Sequence, residues 1–374
     1  MSITADAYLK GPRPAPDELL PSAVPVRFVT EAGTAADAPS GYAAPSDERL
    51  GEAYRRMVLA RRFDQQASAL TRQGRLAVYP SSRGQEACQV AGVLALRQQD
   101  WLFPTYRDTA AVVARGVDPV DVLTLLRGDW HCGYDPMATR VAPLCTPLAT
   151  QLLHAVGMAD ALRRKGEDGV VMAFVGDGGT SEGDFHEALN FAAVFGTPVV
   201  FLIQNNQYAI SVPLAEQTAA PALAYKGVGY GVRSEQVDGN DLVAVLAVLD
   251  EAVKHARSGH GPFLVEAQTY RLDGHTNADD PGRYRDEEEV RRWAAADPLP
   301  RLQTWLRAHG ALTEQDIDVA QAEAEALAAD LRAGIELDGP SNVLEMFDHV
   351  YADPTPQLKE QRRSLETEVK GMEA

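Results

Sequence analysis

No apolar run in these 374 residues approaches the roughly 20 needed to cross a bilayer. The opening MSITADAYLK has neither the basic start nor the apolar core of a secretory signal, so a cytoplasmic protein is expected. Cysteine is scarce. Cys88, Cys132 and Cys145 are odd in number, widely spaced and without a Cys-x-x-Cys pair. Neither a disulfide framework nor a thiolate zinc site is expected, and the three are read as small buried residues. An excess of positive charge is missing as well. At a formal net charge of −18 the chain lacks the basic surface that nucleic-acid phosphates require, so no nucleic-acid or membrane partner is expected and any anionic ligand must find local donors. A Gly-Lys pair occurs nowhere, which excludes a P-loop, and a dinucleotide fingerprint would need glycine where Ser181 stands.

What remains is an ordinary globular composition, 45% hydrophobic and 24% charged, in a chain long enough for one large domain or two. Prolines interrupt residues 1–45 too often for a helix or central strand, which predicts an arm lying over the surface or onto a partner. A helix is predicted from Ser46, its N-cap, through Leu50, Tyr54, Met57 and Val58 to a stop at Gly74. Further on, Val170 to Val175 and Pro198 to Ile203 are short continuous apolar runs, the pattern of strands buried on both faces. Between them Phe185, Ala188, Leu189 and Ala192 stripe a helix whose start Ser181 and Asp184 are expected to cap. The unit is β-α-β. A second helix and strand follow, Asp241 to about His255 and Phe263 to Tyr270, then a helical C-terminal region with its main helix from Glu314 to about Ile335. The expected division is an arm at 1–45, an α/β domain at 46–310 and helices at 311–374.

A β-α-β unit makes its strands parallel, so the carboxyl ends of both open on one edge of the sheet. Gly176-Asp177-Gly178 ends the first strand and Asn205-Asn206 ends the second, which places Asp177 and the asparagines in one crevice. One carboxylate and one carboxamide suit a hard cation such as Mg²⁺ that takes its remaining oxygens from a diphosphate. Backbone amides at the following helix start favour phosphate, and Gly176 and Gly178 are expected to permit close approach.

Gly-Asp-Gly, 26 intervening residues and Asn-Asn resemble the signature of thiamine-diphosphate enzymes. From about Tyr54 to Ala308 the chain resembles the E1 α subunits of heterotetrameric 2-oxo acid dehydrogenases. The blocks that carry this are RQGRL (72–76), TYRD (105–108), TPLATQ (146–151), GDGGTSEGDFHEALNFA (176–192), QNNQYAIS (204–211) and GHTNADDPGRYR (274–285). The arm carries no motif of the family.

The resemblance implies a thiamine-diphosphate-binding α/β fold, with a parallel sheet between helices. It implies Mg²⁺ on Asp177, Asn206 and the carbonyl of Tyr208, and cofactor contacts from Tyr106, Arg107, Thr146, Leu148, Gly176, Gly178, Gly179, Ile210 and His275. For K⁺ it offers the carbonyls of Cys145 and Pro147 with the side chains of Thr150 and Gln151. His275 is the expected catalytic residue beside the diphosphate and reacting centre, and Thr276 stands in the loop where mitochondrial members are phosphorylated on serine. The implied activity is oxidative decarboxylation of a 2-oxo acid with acyl transfer to the lipoyl group of an E2. The glutamate that activates the cofactor is expected on a β partner in an α₂β₂ assembly, not at Glu86 or Glu182, whose helical settings explain them. An aliphatic residue at Val78, with Leu148, favours branched-chain substrates. Pyruvate or acetoin specificity and a non-catalytic scaffold are the alternatives, the last opposed by intact Asp177, Asn206, Arg107 and His275.

Overall fold

The computed structural model describes residues 15–37, 41–337 and 342–372; residues 1–14 and 38–40 of the expected arm lie outside the described residues. Its centre is a five-stranded, wholly parallel sheet in the order β1-β2-β3-β5-β4. The strands are β1 (Trp101–Phe103), β2 (Val171–Gly176), β3 (Val199–Asn205), β4 (Arg233–Asp238) and β5 (Phe263–Gln268).

Side chains of a strand alternate between faces, and here both faces are apolar. Val171, Ala173 and Val175 of β2 pack with one set of helices, α5 (Thr150–Lys165) and α6 (Gly183–Phe195). Met172 and Phe174 turn the other way. They meet α1 (Asp47–Arg72), α2 (Glu86–Leu94), α3 (Thr109–Ala114), α4 (Pro119–Arg127) and α7 (Leu242–Arg257). Each such buried side chain contributes about 1.5–3 kcal/mol, which is why these strands read as unbroken apolar runs. At Gly92 a Cβ would stand 2.5 Å from the Phe174 ring, so α2 sits on the sheet only with glycine there.

Besides four-residue helices, the others among the described residues are α8 (Glu287–Ala295), α9 (Pro298–Ala308), α10 (Glu314–Leu337) and α11 (Pro356–Met372). Leu331 and Ile335 of α10 join the same core as α1 and the sheet. No helix among the described residues is long and apolar enough to cross a membrane.

Helix α1 begins as expected, with Ser46 Oγ accepting from the Arg49 N–H, and Gly74 at φ +73° follows its end. The expected cap of α6 does not form. Ser181 closes a 3₁₀ turn, Gly178–Ser181, and Glu182 takes the N-cap position with no side-chain cap bond. The cause is Thr180, whose N–H and hydroxyl both donate to the Asp177 carbonyl and wind the chain tightly after the strand.

Strand β4, RSEQVD, is too polar to be recognised from its sequence, and its neighbours show why it is nonetheless buried. The arm runs along this edge: Val26 bridges Val237, Ser22 donates to Glu235 through N–H and Oγ, and Tyr42 donates to Glu235. The described part of the arm therefore covers an otherwise open sheet edge.

Candidate active site

All five strands end on one side, and there the loops enclose a cleft of about 910 Å³, its mouth included. The 3₁₀ turn after β2 brings Asp177 to its floor, 1% exposed, and β3 ends at Asn205 with Asn206 following it there. Glu266 on β5, also buried, accepts from the Asn205 amide and the Ala224 N–H, which fixes the β3 exit. From below the turn, Lys226 donates to Thr180 O and Oγ1, both at 2.8 Å.

Three oxygens meet at the floor. The Asn206 carboxamide oxygen stands 3.2 Å from Asp177 Oδ1 and 3.1 Å from the Tyr208 carbonyl. Oδ2 of Asp177 is engaged separately by Gln217 Nε2 at 2.7 Å. Burial raises the Asp177 carboxyl above its usual range, and the Gln217 hydrogen bond opposes this. With the Asn206 amide turned over, the short contacts become hydrogen bonds. With the carboxamide oxygen turned inward, a carboxylate, a carboxamide and a peptide oxygen surround one point, the donor set of a hard divalent cation.

The wall opposite is the TYRD loop. Asp108 is fully buried and accepts from Thr105 N and Oγ1, Gln89 Nε2 and Gln204 Nε2, so the loop is pinned to β3 and α2. Arg107 is thereby held in the cleft, donating to Ser81 O at 2.9 Å and to His275 Nδ1 at 3.1 Å. Arg271, 1% exposed, reaches the same Nδ1 at 3.4 Å and also donates to the carbonyls of Tyr208 and Ile210. The Tyr106 ring lies edge-on to the imidazole at 6.0 Å.

A guanidinium can only donate, so Nδ1 of His275 must be the lone-pair nitrogen and Nε2 carries the proton. Burial, then the charges of Arg107 and Arg271, pull this histidine down to about 4. Its ordinary value near 6.5 therefore does not apply here, and at neutral pH it is a neutral N–H donor. Protonation is harder in the folded chain than in the unfolded one. The stability this residue contributes is intact above about 6.5 and is lost as pH falls towards 4. Carbon-13 labelling of histidine should show two imidazoles titrating near 4, those of His255 and His275, of which one is absent in His275→Gln; a His275 resonance titrating near 6.5 would refute the assigned tautomer.

The other expected residues divide. Leu148, Gly176, Gly178, Gly179, Ile210, Cys145 and Gln151 line the cleft with those above. Gly178 and Gly179 are needed there, because a Cβ would come within 2.8 Å of Ala209 or 2.6 Å of Val175. Gly176 is not, since a Cβ on it would meet nothing. Thr146 and Pro147 are exposed and line nothing, and Thr150 turns its hydroxyl to Asp184. Val78 is also outside the cleft, its N–H tied to Leu126. Glu86 is buried in an ion pair with Arg61, whereas Glu182 stands exposed at the rim. Of the cysteines only Cys88 is buried; Cys132 and Cys145 are half-buried, so the uniform burial expected of them is corrected. Arg271, Gln85, Gln204 and Gln217 were not singled out by sequence, for a lone polar residue at a strand or helix end has no periodic signature.

An open parallel sheet with a polar, oxygen-lined cleft at the carboxyl ends of its strands is the arrangement of an α/β enzyme. The chain belongs to the dehydrogenase E1 component family, whose model matches residues 54–333. It is 49% identical to the 3-methyl-2-oxobutanoate dehydrogenase subunit alpha of Mycobacterium tuberculosis over 324 residues, 86% of this chain and 88% of the relative. It is 39% identical to the pyruvate dehydrogenase E1 component subunit alpha of Staphylococcus aureus, covering 84% of this chain and 86% of the relative. The same identity holds to the subunit of that name from Acholeplasma laidlawii, covering 84% and 92%.

Proposed function

We propose that the chain is the α subunit of a branched-chain 2-oxo acid dehydrogenase E1, acting on 3-methyl-2-oxobutanoate or a close analogue and passing the acyl group to the lipoyl arm of an E2. The observation that carries the chemistry is the meeting of Asp177, Asn206 and the Tyr208 carbonyl at one point beside two glycines that no larger residue could replace. The substrate rests on relatedness, 49% identity to a 3-methyl-2-oxobutanoate subunit against 39% to pyruvate subunits.

Those three oxygens would hold Mg²⁺, and the amides of Gly178 and Gly179 would face a diphosphate. Bound thiamine diphosphate supplies the nucleophilic carbon and the electron sink for loss of CO₂. The chain's own groups orient and donate. Leu148 and Ile210 flank the cleft, Tyr106 and Arg107 present an aromatic edge and a fixed guanidinium, and Nε2–H of His275 is free to donate to a phosphate or to the 2-oxo oxygen. For K⁺ the donors fit less well. Gln151 Oε1 is an orphaned buried oxygen, but Cys145 O already serves Tyr106 N, Pro147 O serves the Cys145 thiol and Thr150 serves Asp184. The proposal does not extend to K⁺.

Neither Glu86 nor Glu182 is placed to activate the cofactor, so that carboxylate is assigned to a β subunit. Apolar side chains left open at the mouth, Leu148 46% and Ile210 57% exposed, and further along α6, Phe191 43% and Val194 48% exposed, support such a partner. The chain alone, given thiamine diphosphate and Mg²⁺, should release no CO₂ from either substrate. With its β partner, kcat/KM should favour 3-methyl-2-oxobutanoate over pyruvate by at least about tenfold, the scale set by added methyl groups in a pocket. A reversed ratio would make it a pyruvate E1, and turnover by a β-free sample would refute the shared site.

A further inference from the structure

Gln85 and Asn206 are a pair of buried carboxamides, 1% and 6% exposed. Asn206 Nδ2 lies 3.2 Å from Gln85 Oε1, and Gln85 Nε2 has no hydrogen-bond partner. A carboxamide has a donor end and an acceptor end of nearly the same shape, so the pair can be arranged in two ways. In the first, Gln85 accepts from Asn206, whose oxygen faces Asp177 Oδ1 and the Tyr208 carbonyl and accepts from the Tyr208 N–H at 3.3 Å, a bond the second arrangement gives up. In the second, both amides are turned. Gln85 then donates to Asn206, and the Asn206 nitrogen donates to Asp177 Oδ1 at 3.2 Å and to the Tyr208 carbonyl at 3.1 Å. The first offers three oxygens to a cation. The second fills the same point with N–H groups.

We propose that Gln85 is a positioning residue that selects the orientation of the Asn206 carboxamide, and so sets whether the cleft is open to a divalent cation or hydrogen-bonded to itself. This rests on the assignment of Asp177 and Asn206 as cation ligands made above. The backbone that carries Gln85 is rigid. Gly84, at φ +97°, packs so closely on the chain leaving β5 that a Cβ would stand 2.2 Å from the Tyr270 carbonyl, and Gln85 N–H donates to Ser82 O as α2 begins. Only the side-chain amide is left to turn. Any population of the self-bonded arrangement lowers apparent cation affinity by the fraction of cleft it occupies.

Residue 85 should therefore act through hydrogen-bond character more than through size. Glutamate accepts only, so Gln85→Glu removes the self-bonded arrangement. Methionine has a similar length but offers no strong acceptor, so Gln85→Met leaves Asn206 Nδ2 unpaired whenever the oxygen faces the cation. With the chain assembled with its β partner, Mn²⁺ binding is read by paramagnetic resonance at saturating thiamine diphosphate, and thermal unfolding is followed on the same samples. Gln85→Met should weaken Mn²⁺ about 10–100-fold, as loss of a group that orients a ligand does, while Gln85→Glu binds as tightly as the parent or more tightly. In an Asn206→Ala background, neither substitution should change the affinity further.

Gln85→Met binding Mn²⁺ within about twofold of the parent, well under that 10–100-fold range, would overturn the proposal. So would equal tightening by Gln85→Glu with and without Asn206, because added charge alone would then account for it. Should Gln85→Met fail to fold, the comparison of Gln85→Glu in the two backgrounds decides the matter. Unchanged affinity in Asn206→Ala alone would instead remove the cation assignment on which the proposal stands.

Discussion

Asp177→Ala is expected to abolish Mg²⁺-dependent thiamine diphosphate binding, an affinity loss of at least about 10²-fold, beyond that for groups that merely orient a ligand. Three carboxylates line the cleft. Asp108 is fully engaged by its four donors, and Glu182 stands exposed at the rim, so Asp177 alone faces the carboxamide and peptide oxygens. The stability signature follows from the sign of its shift. Burial raises the carboxyl, so its ionised form at neutral pH is a cost to the free chain, and alanine removes that cost. Thermal stability without cofactor should therefore stay level or rise. What disappears is the gain on adding cofactor and Mg²⁺, about 2.7 kcal/mol at a ligand concentration of 100 times Kd in the parent. Calorimetry that finds cofactor affinity unchanged in Asp177→Ala would sink the metal assignment.

His275→Ala should lower reductive acylation of a lipoyl domain by about 10²–10³-fold, the usual loss when a preorganised donor to a developing oxyanion is removed. The folded chain should hardly notice. The imidazole is half-buried, and Arg107 keeps its hydrogen bond to Ser81 O without it. His275→Gln retains an N–H donor and should recover part of the lost rate, which a purely structural histidine would not predict. Because burial and both guanidiniums keep the ring neutral, the rate should show no acid limb near 6.5 that belongs to this residue. Near-normal acylation with a depressed melting temperature would contradict the role given to it.

The site was legible where it depends on chain-terminal turns of buried strands. Val171 to Val175 and Val199 to Ile203 are apolar on both faces because helices cover both, and that made their ends, and with them Asp177 and Asn206, visible in the sequence. Strand β4 was not legible. Glu235 and Gln236 are buried in hydrogen bonds with Ser22 and Tyr42, more than 190 positions away, a compensation no local pattern records. Arg271 was missed for a related reason. An arginine in the exit from β5 looks like any surface charge until its partners, the carbonyls of Tyr208 and Ile210, are seen around it. The family resemblance pointed to His275 but not to its protonation, which is set by burial, by Arg107 far away in sequence and by Arg271 four positions before it. It also drew Thr146 and Thr150 into the site, although one side chain lies in solvent and the other on Asp184.

The most direct test of the whole account is the anomalous scattering of manganese in crystals of the chain assembled with its β partner, thiamine diphosphate and Mn²⁺. The account places the manganese peak between Asp177 Oδ1, the Asn206 carboxamide oxygen and the Tyr208 carbonyl, with the diphosphate against Gly178 and Gly179. Manganese coordinated elsewhere, or cofactor density outside this cleft, would contradict it.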